Sequence, residues 1–124
     1  MDRVFITLGT LSGLISVAAG AFGAHALRER LTESALGTFQ TGAQYQMYHA
    51  LATLAVGILL ARFSIEGSTW LSAAGWLFVA GTVLFSGSLY LLALTDVRWL
   101  GAITPLGGVA FLLGWLALGV GIWR

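Results

Sequence analysis

The chain has no cysteine and no lysine, and only 9% of its 124 residues are charged. Without cysteine there are no disulfides, no thiolate nucleophile and no cysteine-ligated zinc or iron–sulfur site. The redox compartment stays open, because a chain without thiols suits either side of a membrane. Six arginines face five carboxylates, for a net charge of +1. They form no basic cluster that would neutralise a run of phosphates, so nucleic acid is not an expected partner. Phosphate-binding loops are missing too: no GxGxxG follows a strand and no GxxxxGK[ST] occurs. No apolar run contains a carboxylate, and no Ser, His and acid arrangement follows from the spacing, so no catalytic residue is assigned.

What the chain has is oil. Hydrophobic types make up 58% of it, and the mean hydropathy is +0.90. A soluble domain is typically about 25% charged, and so few charges cannot cover a globular surface. The expectation is an integral membrane protein with the lipid bilayer as its first partner.

A membrane-crossing helix needs roughly 20 mostly apolar residues. Four stretches qualify, at about 4–24, 43–62, 70–94 and 99–123. The charges fall between them: Asp2 and Arg3; Arg28, Glu29, Arg30 and Glu33; Arg62 and Glu66; Asp96 and Arg98; Arg124. Short linkers make consecutive helices antiparallel neighbours. The expected fold is therefore all-α, a single four-helix transmembrane bundle over residues 1–124. Trp70 and Trp123 belong at one interface and Trp99 at the other, as an aromatic belt. Trp76 and Trp115 fall deeper, as packing or lipid-facing residues. Arg3, Arg62 and Arg124 on one side balance Arg28, Arg30 and Arg98 on the other, which gives the positive-inside rule no preference.

Ala24-His25-Ala26 has the form of a signal-peptide cleavage site. The apolar run before it is longer than the usual 7–15 residues, so a retained helix is expected. Residues 25–43 mix Arg and Glu with Leu27, Leu31, Leu36 and Phe39. They read as an amphipathic interfacial segment between the first two helices, with Thr32 capping a helical piece. Two other readings are a solvated loop and one continuous helix over 33–62.

Helices in lipid associate through close backbone contact at small residues. Gly9 and Gly13 form a GxxxG step, and Ser12, Ser16, Gly20 and Ala24 form a small-residue row. Ala110 with Gly114, and Ala117 with Gly121, repeat the pattern in the last span. The expected packing set is Gly9, Gly13, Ser16, Gly20, Gly23, Gly107, Gly108 and Gly114.

Polar residues inside spans are costly and are functional candidates by default. Placed by depth, they gather on the side of the first and third linkers. His25 leaves the first span there, and Gln44, Tyr45, Gln46, Tyr48 and His49 enter the second. Tyr45, His49 and Thr53 share a helical face, as do Thr82, Ser86 and Tyr90. Thr104 and Pro105 read as the N-cap and first residue of the last helix. The candidate polar pocket is His25, Gln44, Tyr45, Tyr48, His49, Ser86, Tyr90 and Thr104. A His25–His49 pair suits haem or a metal, and histidine also relays protons. Tyr, His and Gln near an interface suit a quinone or lipid head group. The competing reading is structural: His25 faces headgroups, and His49 bonds a neighbouring helix.

Four stretches, "GAFGAHAL", "FQTGAQYQMYHALA", "GSLYLLAL" and "ITPLGGVAFLLGW", resemble the small membrane family called domain of unknown function 423. Its relatives include the eukaryotic transmembrane protein 256. The resemblance spans nearly the whole chain and implies a multi-pass protein of the bacterial plasma membrane. It carries no reaction. Its motifs fall on Gly20, Gly23, His25, Gln40, Tyr45, Gln46, Tyr48, His49, Ser86, Tyr90, Thr104, Pro105, Gly107 and Gly108, most of them on the polar side. The functional expectation is a non-enzymatic packing or accessory protein, alone as a homo-oligomer or within a larger membrane complex. The alternative is a pocket that binds a small ligand, quinone or lipid head group, or passes protons.

Overall fold

The computed structural model describes residues 1–62 and 68–123, and every regular element among them is helical. Helix α1 runs Asp2–Leu27 and contains a π-helical turn at Ala18–Gly23. Helix α2 is Glu33–Arg62. Helix α3 runs Ser68–Thr95, with a second π-helical turn at Thr82–Ser86. A 3₁₀ turn at Arg98–Ala102 leads into α4, Thr104–Trp123. Glu66 and Arg124, expected on the terminus side, lie outside the described residues.

The segments Asp2–Leu27, Ser68–Thr95 and Arg98–Trp123 are long and apolar enough to cross a membrane. Helix α2 has 30 residues but is not among them. It carries Gln40, Gln44, Gln46 and His49 between its first turns and its middle, and it holds much of the buried polar chemistry described below.

No separate amphipathic helix stands between α1 and α2. Residues 24–27 complete α1, and from Glu33 onward the chain is already α2, so the continuous-helix reading of 33–62 holds. Thr32 Oγ1 accepts a hydrogen bond from the Ala35 N–H at 3.1 Å, which caps the start of α2. The apolar residues of the linker are consumed internally. Leu27, Leu31 and Leu36 pack on a small cluster of Ala24, Phe39 and Ala93. They close one end of the bundle instead of forming a helical face of their own.

Consecutive helices pack in antiparallel register. Along α1–α2, Gly57 meets Ile6, Gly9 meets Ala50 and Leu54, and Gly23 meets Phe39. Along α3–α4, Gly121 meets Leu71, Gly114 meets Phe78, and Gly107 meets Phe85. The main core joins Phe5 of α1, Val56 of α2, Leu71 and Phe78 of α3, and Phe111 and Leu118 of α4.

Three of the tight contacts share one arrangement, a phenylalanine ring seated over a glycine of another helix. Phe5 lies over Gly75, Phe78 over Gly114 and Phe111 over Gly81. A Cβ on Gly75 would come within 2.5 Å of the Phe5 ring, and one on Gly114 within 2.7 Å of the Phe78 ring. Of the expected packing glycines, Gly9, Gly107 and Gly114 are held at distances that admit no side chain. A Cβ on Gly23 would crowd the Phe39 ring at 3.3 Å, and one on Gly20 would lie 3.4 Å from Ala43, whereas Gly13 and Gly108 have room. Ser16 is buried and bonds across to α2, donating to the Ala43 carbonyl at 2.7 Å.

Helix α3 ends at Asp96, whose φ of 56° places it in the left-handed region. Its N–H donates back to the Leu92 carbonyl at 2.8 Å, the usual geometry of a helix C-terminal stop.

Candidate functional site

Two kinds of polar chemistry separate in the structure. The first ties helices together. Gln46 Nε2 donates to both the Ser12 carbonyl and the Ser12 Oγ at 3.2 Å. Its Oε1 accepts from the Tyr90 hydroxyl at 2.6 Å. One amide thus links α1, α2 and α3. Ser86 Oγ donates to the Gly42 carbonyl at 2.7 Å. Ser88 and Thr104 bond at 2.6 Å and link α3 to α4. The Thr104 side chain is therefore engaged across helices, and α4 begins at Thr104 itself, one position before Pro105, its expected first residue.

The second kind lines a cleft of about 590 Å³ between α2 and α4. Its walls are Tyr45, Tyr48 and His49 of α2, Phe85 of α3, and Pro105, Gly108, Val109, Phe111, Leu112 and Trp115 of α4. The rings form a continuous chain. Tyr48 meets Tyr45 edge-on at 5.5 Å, Tyr45 meets Phe85 at 5.0 Å, and Phe85 meets Phe111 at 5.4 Å. Phe111 then stacks on the His49 imidazole at 3.5 Å and 7°.

His49 sits on the inner wall, 5% exposed. Its Nδ1 lies 2.7 Å from the Tyr45 carbonyl, and Trp115 Nε1 donates to its Nε2 at 3.1 Å. A carbonyl only accepts and an indole N–H only donates. The ring is therefore the neutral tautomer with its proton on Nδ1, and both nitrogens are occupied. Haem or metal ligation through Nε2 would have to break the Trp115 bond.

His25 is elsewhere. It is exposed near the end of α1. Gly23, two residues before it, packs on Phe39, and Phe39 lies ten residues before His49, so about 15 Å of helix separates the level of the α1 end from that of His49. Among the described residues, no group of three or more His, Asp or Glu side chains is placed to hold a metal ion.

Of the expected pocket, the structure brings Tyr45, Tyr48 and His49 to the cleft. Gln44 supports it from outside, donating from Nε2 to the Tyr48 hydroxyl at 2.5 Å. Ser86, Tyr90 and Thr104 belong to the helix–helix bonds, and His25 to the end of α1. The two polar stripes also divide. Thr53 Oγ1 donates to the His49 carbonyl at 2.6 Å. With Thr82, Thr53 lines a second cleft of about 320 Å³ on the α1 side.

The sequence marks Trp115 as a packing or lipid-facing residue and does not single out Phe85 or Phe111. A signal for Trp115 existed. An indole N–H deep in a span needs an acceptor, and His49 is a neutral acceptor at a matching depth on a parallel helix. No comparable signal marks Phe85 or Phe111.

The family described as "Protein of unknown function (DUF423)" matches residues 19–108. A UPF0382 membrane protein of Staphylococcus saprophyticus is 48% identical over 122 residues, covering 98% of each chain. The UPF0382 membrane protein YwdK of Bacillus subtilis is 50% identical over 116 residues, covering 94% of this chain and 93% of its own. No solved structure matches. A match over most of the chain, at about half identity to proteins named for the membrane, makes this chain a membrane protein of the DUF423 family.

Proposed function

We propose that the protein is a four-span bundle of the bacterial plasma membrane that works by packing, without catalysis of its own. It serves as an accessory subunit or as a homo-oligomer. The observation that carries this is the fate of its polar side chains. Among the described residues, no buried side-chain nitrogen or oxygen lacks a hydrogen-bond partner. Serine, glutamine, tyrosine and tryptophan groups deep in the helices are committed to neighbouring helices, the role polar residues commonly play within bilayers. The outer faces are apolar, with Leu14, Phe22, Leu112 and Leu116 between 66% and 74% exposed. Such faces suit lipid or another apolar helix surface.

Four crossings put residues 32 and 96 on one side and residue 2 on the other. A chain without native cysteine makes the test clean. Thr32→Cys and Asp96→Cys are expected to react with an impermeant maleimide from the same side of sealed vesicles, and Asp2→Cys from the opposite side. Labelling of Thr32→Cys and Asp96→Cys from opposite sides would refute the topology. Native mass spectrometry from a mild detergent tests the packing role. A defined oligomer or a co-purifying subunit is expected, and a strict monomer alone would overturn it.

A further inference from the structure

We infer that the α2–α4 cleft is a binding site for a neutral, flat-ringed lipid of the quinone class. This goes beyond the packing role and depends only on the bundle residing in lipid.

Shape comes first. At about 590 Å³ the cleft is within the 300–1,000 Å³ usual for small-molecule sites. From Pro105 to Trp115 it covers ten helical steps of α4, or about 15 Å of helix. That is half the depth of the hydrocarbon core, too short for a partner helix lying along its full length. The wall chemistry also argues against a helix. Helix contacts in this bundle use close backbone approach, as at Gly9, or a ring already seated on a glycine, as Phe78 on Gly114. This wall instead carries Tyr45, Tyr48, Phe85, Phe111, His49 and Trp115. Aromatic faces and edges reward another flat ring through offset or edge-to-face contact.

Charge and hydrogen bonding narrow the class. No charged side chain lines the cleft. A phosphate head group would want arginine or lysine beside it, so a neutral head is favoured. The mouth holds two phenols, Tyr45 and Tyr48, 38% and 48% exposed with ring centroids 5.5 Å apart. Tyr48 already accepts from Gln44, so its own hydrogen is left for an outside acceptor. A quinone offers a planar ring and carbonyl oxygens that only accept. Its tail would leave past Val109 and Leu112, which are exposed on the outer face of α4.

Gly108 supplies the test. A Cβ there meets nothing nearer than the Phe85 ring at 4.0 Å. A side chain at this position fills the cleft and leaves the helix contacts intact. The probe is a decyl-substituted 1,4-benzoquinone, titrated into the full chain in mild detergent and read by quenching of tryptophan fluorescence. The expected result is saturable quenching at one site per chain. Gly108→Leu should raise Kd about tenfold or more, and Tyr45→Phe with Tyr48→Phe about tenfold. The tyrosine pair loses only two oxygen atoms, so it carries the test even if Gly108→Leu fails to fold. Decanol in equal excess should not displace the quinone. Linear quenching without saturation would overturn the inference. So would unchanged binding in folded variants, or displacement by decanol, which would mark an unspecific alkyl groove. None of these results bears on oligomeric state, so the packing role is judged separately.

Discussion

Trp115 donates its indole N–H to His49 Nε2 at 3.1 Å, while His49 Nδ1 faces the Tyr45 carbonyl at 2.7 Å. This one side-chain bond between α2 and α4 commits a histidine that would otherwise be the obvious ligand or proton carrier of the bundle. It also positions the imidazole flat against Phe111, which makes the floor of the aromatic cleft.

Trp115→Phe should therefore destabilise the protein by about 1–3 kcal/mol, because it strands Nε2 in apolar surroundings. The double variant Trp115→Phe with His49→Phe should recover part of that loss, since both polar partners are gone. Unfolding in mixed detergent micelles gives the four corners of the cycle. Additive losses would refute the coupling.

The Gln46 amide should behave similarly on the other flank. Gln46→Leu removes partners from Ser12 and Tyr90 at once. Interhelical hydrogen bonds in membranes are worth about 0.6–2 kcal/mol each, so the loss should fall near the top of that range. Adding Tyr90→Phe to Gln46→Leu should cost little more. Denaturation midpoints measured on the same micelle system check both.

Two glycines of the same GxxxG step should respond oppositely to alanine. On Gly9 a Cβ would sit 2.8 Å from the Leu54 nitrogen and 2.9 Å from the Ala50 oxygen, both backbone atoms that cannot rotate away. Gly9→Ala should cost about 1–3 kcal/mol. On Gly13 the nearest contact is 3.9 Å, and Gly13→Ala should be neutral or gain up to about 1 kcal/mol from the helix preference of alanine. Thermal melts of the two variants separate these outcomes.

Asp96 holds a left-handed backbone conformation without being glycine. Asp96→Gly should relieve that and stabilise the protein by about 0.5–1 kcal/mol. A lowered melting temperature would show that the aspartate side chain contributes to the turn in its own right.

Much of the fold was legible before any coordinates. Low charge and long apolar runs follow from a bilayer-like solvent, and the periodicity of charges between them marks the turns. The α1–α2 contact was legible through Gly9, Ser16 and Gly23, because close approach in lipid requires small residues. The start of α2 was not. Leu27, Leu31, Leu36 and Phe39 show the same helical spacing whether they meet an interface or the bundle's own end. Only the position of Ala93 on α3 distinguishes the two.

The residue types of the site were also partly legible. Tyr45, Tyr48 and His49 are polar groups at the head of an apolar run, and polarity in a span demands an explanation. Which partner each one finds was not. Tyr90 and Tyr45 look alike along the chain, yet one is spent on Gln46 and the other faces a cleft.

By itself, the sequence determined that the chain is helical, that it belongs in a membrane, and that polar groups concentrate toward one end. These follow from composition and period, which local physics reads directly. Tertiary structure alone decided that His25 and His49 are far apart, that Trp115 satisfies His49, and that Gly108 leaves a cleft where Gly107 leaves none. The reason is geometric. Neighbouring residues on a helix point about 100° apart, so a one-residue step separates a position pressed on the Phe85 backbone from one with room at the cleft wall. That direction depends on where the facing helix lies.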